Sequence, residues 1–417
     1  MAQLSNDCFA FGGALMRLDE ARALVAARLS PVVGVENVPL FAADGRVLAD
    51  DIGAPIPLPP FFNSAVDGYA VRFADLTPGA ETRLPVAGRL PAGAAAGAVP
   101  GAGSAVRIFT GAAMPEGFDT VFMQEDAVRE EGDVVLPAGL SRGANARRAG
   151  EDVEAGARVL GAGHRLSPRD LALLAGLGLS EVAVRRRLRV GIFSTGDELV
   201  APGSPLGPAQ LYDANRAMLL ALAARAGCEP RDLGILPDGR DAVRDALAAA
   251  AGDVDLLVTS GGVSTGEEDH VKAAVEAAGA LTFWRVGIKP GRPVALGVVG
   301  GTAFVGLPGN PAAVLVTFAM LARPLIARLA GETWRRPLAF PVRSGFAYRK
   351  KAGRREYVRC ALAPDGAGGL MALKHPREGA GVVTSLTETA GLVELPEDTT
   401  AIAAGDVVGF LPWSSLL

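Results

Sequence analysis

At 417 residues the chain exceeds what one hydrophobic core organises, so roughly two to four domains are expected. Its 49% hydrophobic and 21% charged residues exclude the apolar deficit of a disordered chain and the unbroken apolar runs of a membrane protein. A net charge of −4 excludes the basic footprint of a general nucleic-acid binder, so no nucleic-acid partner is expected and any bound anion must be held locally.

The opening residues, 1–13, carry Asp7 and no basic segment ahead of an apolar run, unlike a secretory signal, and a cytoplasmic location is the expectation. The next pattern is a helix: Leu18, Leu24, Val25 and Leu29 recur at helical spacing with charges between them, and Ser30-Pro31 ends it. From about 55 to 139 the texture changes to short Val, Ile, Leu and Phe runs broken by Gly, Pro and Asp, a β-rich module. Residues 150–180 supply turns and a helix over 168–177, expected to pack back on the first helix.

From Arg187 onward strand, loop and helix alternate. Strands are predicted over 188–194, 232–236, 254–260, 281–286, 294–299 and 302–307, and helices over 215–226, 241–251, 269–278 and 311–329. Strands so continuously apolar, alternating with helices, predict a doubly wound, mostly parallel sheet covered on both faces. The longest apolar stretch, 312–322, is shorter than the ~20 residues a bilayer span needs, and no membrane partner is expected. After Gly331 short strands and turns return, predicting a C-terminal β domain with a basic hairpin over 346–360 that turns at Lys351-Ala352-Gly353. The run Arg349-Lys-Lys-Ala-Gly-Arg-Arg355 reads as a solvated hairpin tip in preference to a partner surface. Cys8, Cys228 and Cys360 are too scattered for a disulfide framework and read as reduced, structural thiols.

In a doubly wound sheet the ligand crevice lies beyond the carboxyl ends of the strands. Ser194-Thr-Gly-Asp-Glu198 brings two carboxylates to such an end, although taken alone it reads as an ordinary turn with a solvated acidic pair. Ser260-Gly-Gly-Val-Ser-Thr-Gly266, followed by Glu267, Glu268, Asp269 and His270, can form an amide and hydroxyl nest for an oxyanion before a helix; Asp269 can equally be that helix's cap. Gly306-Leu-Pro-Gly-Asn-Pro311 is a well-formed helix start, with Asn310 at the cap and Pro311 at the first helical position. Lys289-Pro-Gly-Arg-Pro293 adds two cations, Lys289 and Arg292, on a proline-bracketed turn. Cations, amides and carboxylates on one edge suggest a phosphate ester together with a metal ion, and all-oxygen ligands favour Mg²⁺ over zinc. His164, His270 and His375 form no local ligand pair and read as surface or supporting residues, with His270 the one worth testing. In the β-rich part, Asp67-Gly68 alone is explained as a turn pair.

The segments Asn63-Ser-Ala-Val-Asp-Gly-Tyr-Ala70, Arg107-Ile-Phe-Thr-Gly111, Arg148-Ala-Gly-Glu-Asp152, Phe193-Ser-Thr-Gly-Asp-Glu-Leu199, Tyr212-Asp-Ala-Asn-Arg216, Ser260-Gly-Gly-Val-Ser264, Lys289-Pro-Gly291 and Gly306-Leu-Pro-Gly-Asn-Pro311 stand in one order. That order resembles the molybdopterin molybdenumtransferases, the family that includes the gephyrin E domain. Gly353-Arg-Arg-Glu-Tyr-Val-Arg359 resembles the start of the family's C-terminal domain. The resemblance implies a multidomain α/β plus β molecule: a linker-like domain in two segments (15–53 and 147–185), a β-rich domain (54–146), the α/β domain (186–331) and a C-terminal β barrel (332–417). It implies a homodimer whose active site is shared between subunits, with adenylylated molybdopterin and molybdate as substrates, AMP as product and Mg²⁺ as cofactor. A molybdopterin adenylyltransferase is a candidate partner.

Carried over by the same resemblance, Asp67, Thr110, Glu198 and Asp269 are candidate catalytic residues, and Glu198, Asp238 and Asp269 candidate metal ligands. Ser260, Gly261, Gly262, Ser264, Lys289, Arg292, Pro308 and Pro311 are candidate substrate contacts. Two positions depart from the family pattern: His270 follows Asp269 where an aromatic residue is common, and Arg292 stands where a second lysine is frequent. Arg292 keeps the charge but presents it as a planar fork.

Overall fold

The computed structural model describes residues 16–94, 100–237, 239–262, 270–291 and 293–417. At its centre lies a six-stranded sheet in the order Glu229–Leu236, Arg189–Thr195, Leu256–Ser260, Thr302–Leu307, Pro293–Val299, Gly279–Arg285. The first four run parallel and the last two pair antiparallel, so the sheet is mixed with a parallel majority. The strand period assigns the faces. Val190, Ile192, Leu256, Val258, Ala303 and Val305 enter one core with the helices Ala214–Arg225 and Pro311–Thr317. Phe193, Leu257 and Phe304 enter the other with Val243, Leu247, Val271 and Val275 of the helices Arg240–Ala251 and His270–Ala278. At the amino end of this sheet Asp255, 6% exposed, takes Arg186 and Arg189 side chains and the Arg189 amide, which locks two neighbouring parallel strands in register.

The helical run from Pro311 to Leu329 is continuous, widening by one residue over Phe318–Ala322, where the Arg323 amide reaches back to the Phe318 carbonyl. By length and composition it is long and apolar enough to cross a bilayer, which the stretch 312–322 by itself is not. Burial decides instead: 89% of its most apolar stretch lies inside the protein, as a core helix does.

Two expectations are corrected. The helix Pro168–Gly176 packs with Leu40, Leu48, Val182 and Val184, whereas Leu18, Ala21 and Val25 of Leu18–Arg28 enter the core of the central sheet; the two helices belong to different cores and do not pack together. The basic segment 346–360 turns at Gly353, with φ +82°, but its arms do not pair with each other. Tyr348–Arg349 pairs with Ala401–Ile402, while Arg355–Pro364 joins a barrel. The turn itself is exposed at Lys351, Ala352 and Gly353, as a solvated tip is, but the run is anchored on either side: Lys350 and Arg355 are 9% and 6% exposed, and Arg355 is ion-paired to Asp19, Glu394 and Glu397.

That barrel closes through Arg355–Pro364, Leu370–Lys374, Phe340–Ser344, Val407–Pro412 and Gly391–Leu395, which returns to the first strand. Ile288–Lys289 from the α/β region adds to it in parallel beside Arg355 and Glu356. In the N-terminal half a six-stranded sheet runs Thr120–Met123, Gly68–Val71, Ala105–Ile108, Thr82–Leu90, Asp133–Leu136, Val128–Glu130. It hangs on a smaller unit made from two distant segments, in which Val35–Pro39 pairs with Glu181–Arg185 and Ile52–Gly53 with Arg158–Leu160.

Candidate active site

Three loops meet at the carboxyl edge of the central sheet because glycines let their backbones touch. Gly261 and Gly262 hold φ +82° and +62°, conformations that a side chain disfavours. A Cβ on Gly262 would lie 2.6 Å from Thr195 Oγ1, and one on Gly309 would lie 3.7 Å from Gly261 Cα. The sheet end at 195, the 260–262 loop and the 308–311 loop therefore form one surface. Asn215, one residue inside the Asp213-capped helix, donates from Nδ2 to the Gly309 carbonyl at 2.6 Å and ties the third loop down. Pro311 opens its helix as expected with Asn310 before it, but the Asn310 side chain makes no capping hydrogen bond. The Ala312 amide is instead satisfied by the Ala380 carbonyl of the C-terminal region.

A cavity of about 470 Å³ opens on this edge. On the sheet side it is lined by Gly261, Gly262, Lys289, Gly291, Pro308 and Asn310, and on the barrel side by Tyr348, Glu356, Arg359, Lys374, His375 and Arg377. The barrel wall is what sequence reasoning missed. Its only signal was Gly353-Arg-Arg-Glu-Tyr-Val-Arg359, whose role depends on the strand Ile288–Lys289 joining the barrel.

Lys289 Nζ donates to Tyr348 Oη at 3.0 Å and to Glu356 Oε2 at 3.2 Å, and Tyr348 Oη donates to the same carboxylate at 2.9 Å. Arg354 Nε holds the other oxygen at 2.6 Å. Burial alone would lower the Lys289 ammonium, but these hydrogen bonds outweigh it and hold it above the ordinary lysine value. Burial likewise raises the Glu356 carboxyl, yet Tyr348, Lys289 and Arg354 together keep it below its ordinary value. Arg359, 7% exposed, donates to the carbonyls of Glu378 and Gly379 at 2.8 and 3.2 Å, while its Nη1 is buried with no acceptor among the described residues. Such a donor favours an anion. His375 is buried rather than at the surface: the Arg377 amide donates to Nδ1, leaving Nε2 to donate to Glu388 at 2.8 Å.

Ser260 is 4% exposed at the end of its strand and does not line the cavity. Glu198 is exposed and does not line the cavity; its carboxylate lies over Gly196, where a Cβ would meet Oε2 at 2.5 Å. Asp67 and Thr110 stand together on the N-terminal sheet: Asp67 Oδ1 accepts from the Thr110 amide at 2.8 Å and its hydroxyl at 2.7 Å, which holds the carboxyl below its ordinary value. Neither lines this cavity. Asp238, Ser264, Asp269 and Arg292 lie outside the described residues. Among the described residues no three His, Cys, Asp or Glu side chains converge on a metal position, and Glu198 enters no ion pair, which leaves its hard oxygen donors open to a cation such as Mg²⁺. Burial pushes the Cys228 and Cys360 thiols up to about 12, so neither is a nucleophile.

Residues 16–178 match the MoeA N-terminal region (domain I and II), residues 191–328 the probable molybdopterin binding domain, and residues 341–413 the MoeA C-terminal region (domain IV). A molybdopterin molybdenumtransferase of Haemophilus influenzae is 40% identical over 97% of this chain and 100% of its own length. The chain belongs to the MoeA family. A second member, a molybdopterin molybdenumtransferase of Nostoc, is 37% identical over 89% of this chain and 87% of its own length. The crystal structure of a molybdopterin biosynthesis MoeA protein from Pyrococcus horikoshii superposes with a TM-score of 0.80 at 29% identity, covering 95% of this chain and 99% of that one. The MoeA architecture predicted from the sequence, an α/β centre between a β-rich N-terminal part and a C-terminal barrel, is thus the observed one.

Proposed function

We propose that the chain is a molybdopterin molybdenumtransferase that inserts molybdate into adenylylated molybdopterin with release of AMP. The observation that carries this reading is the cavity between the sheet edge and the barrel, in a chain related over its whole length to enzymes of that name. Its donors are in excess: Lys289, Arg359, Lys374 and Arg377 face an opening whose lining carboxylates, Glu356 and Glu378, are already bonded to Lys289 and Lys374. Cations fixed by internal partners need no reorganisation when an oxyanion arrives. Lys289 and Arg359 bind molybdate, joined by Arg292 and Ser264, while the 260–262 backbone and Pro308 form the wall along which the pterin phosphate lies.

Glu198, Asp238 and Asp269 would hold Mg²⁺, which supplies charge to polarise the phosphoanhydride when bound. The pterin's own sulfurs take the molybdenum, in keeping with buried, protonated cysteines. Asp67 and Thr110 are assigned to the same cleft through a homodimer, the second subunit supplying them. A molybdopterin adenylyltransferase is the proposed partner that delivers the adenylylated substrate.

The test is AMP release and cofactor formation from adenylylated molybdopterin and molybdate. Glu198→Ala and Asp269→Ala abolish turnover while the protein stays folded by circular dichroism. Lys289→Gln weakens molybdate binding by about ten- to a hundredfold, the worth of one charged hydrogen bond. Turnover near the wild-type rate in the two acidic variants would remove the assignment.

A further inference from the structure

A second cavity, of about 650 Å³, shares no lining residue with the first. It lies where the linker segment around 158–165, the end of the helix Ala214–Arg225, the middle of the run Pro311–Leu329, the 332–337 connection and residues 415–417 meet. Its floor is a guanidinium pair gripping one carboxylate: Arg165 Nη2 to Glu332 Oε2 at 2.6 Å and Arg323 Nη2 to Glu332 Oε1 at 2.9 Å. Two cations on one anion leave the floor positive, and Arg165 Nε and Arg323 Nη1 are buried with no acceptor among the described residues. Burying such an excess is costly unless a further anion offsets it. Arg165 is fixed in place. Its Nη1 and Nη2 donate to the carbonyls of Gly45 and Ala226 at 2.6 and 2.9 Å, and it lies across Gly227, where a Cβ would come within 2.2 Å of Nη1.

The rim repeats the sign. Arg225 and Arg335 line the opening and enter no ion pair among the described residues, and Arg158 there is paired only with Asp51, at 2.9 Å. Glu332 is the sole acidic side chain among the lining residues. Five arginines set against the carboxylates of Glu332 and Leu417 still leave the lining positive, which raises the local potential and draws anions. The volume falls in the range of small-molecule sites and exceeds what one inorganic ion fills. Trp334 lines the same cavity, with Arg22 stacked at 5.3 Å from its ring, and provides a surface for a neutral body.

We propose that this cleft binds a phosphate-bearing small molecule, a phosphate ester or a diphosphate, with Arg165 and Arg323 beneath its charge and Arg225 and Arg335 closing over it. The probes are ribose 5-phosphate, pyrophosphate and inorganic phosphate, titrated by calorimetry and by tryptophan fluorescence into the full chain and into Lys289→Gln, in which oxyanion binding at the other cleft is weakened. Ribose 5-phosphate or pyrophosphate is expected to bind one per chain, more tightly than inorganic phosphate. The double variant Arg225→Gln, Arg335→Gln, at exposed positions that disturb no fold contact, weakens that binding at least tenfold. Trp334→Phe abolishes the fluorescence change while the heat remains. Absence of saturable binding by the two larger probes, affinity no better than that of inorganic phosphate, or binding indifferent to the double variant would each overturn the proposal.

Discussion

At the scale of single residues, hydrogen bonds set the charge states in both candidate regions. Asp67 is held ionised by the Thr110 amide first and its hydroxyl second, and Thr110→Val removes only the second. A depressed carboxyl keeps its proton off until pH falls through the folded value, so losing a donor brings protonation on at higher pH. The Asp67 carboxyl in Thr110→Val is expected to titrate above its wild-type value but still at or below the ordinary aspartate range, as read from carboxyl chemical shifts against pH. An unmoved titration would discard the Thr110 hydroxyl as a charge-setting group. Glu356, 1% exposed, binds Lys289, Tyr348 and Arg354 at once. Glu356→Gln leaves Lys289 and Arg354 without their carboxylate: because Lys289 stays partly hydrated, stability drops by about 1–2 kcal/mol in urea unfolding, and the Lys289 ammonium titrates lower than in the wild type. Because a raised lysine contributes stability that is lost as pH rises through its folded value, the variant also loses less further stability at alkaline pH. Asp67, Thr110 and Lys289 were legible as candidates; the hydrogen-bonded pairings were not, since Thr110 lies 43 positions from Asp67 and Glu356 67 from Lys289.

Among elements, the α/β helices and strands followed from apolar periodicity, and their observed bounds fall within a few residues of the expected ones. The exceptions have local causes. Within the last α/β helix, Pro324 has no amide to offer Met320, whose carbonyl accepts Arg22 Nε at 2.9 Å from the first helix instead. That bond adds to the burial of Leu18, Ala21, Val25 and Leu29, which seats Leu18–Arg28 on the central core while Pro168–Gly176 packs in another. Arg22→Ala orphans the carbonyl and removes the stack on Trp334, so a loss of about 1–3 kcal/mol is expected, visible as a lower thermal midpoint; an unchanged midpoint contradicts this account. The basic hairpin failed for a related reason. Turn chemistry at Gly353 is local and was readable, but strand pairing is settled by which edges are near, and the nearer ones were Ile288–Lys289 and Gly391–Leu395.

For the whole molecule, Arg355 joins the first helix through Asp19 to the barrel through Glu394 and Glu397, and the Ile288–Lys289 strand stitches the α/β region to the same barrel. The cavity exists because of these ties. Asp67 and Thr110 stand apart from it on the N-terminal sheet, and the proposed homodimer is what would bring them in. Mixing Asp67→Asn with Lys289→Gln subunits tests this directly. If each cleft draws on two chains, random exchange regenerates one intact site per mixed dimer, and activity recovers to about one quarter of wild type. No recovery, with exchange confirmed by mass, would confine each cleft to one chain.

Order of motifs and periodicity of apolar residues by themselves determined the family, the parallel core and the glycine loops, because those depend on neighbours within a few positions or on strand period. Tertiary structure alone decided that the buried Glu356 and its partner Tyr348 position Lys289, that Arg359 walls the cavity and that five arginines crowd a second cleft. Such charge constellations carry no sequence period: they arise from which surfaces the hydrophobic cores press together, and long cationic side chains can reach them from any element.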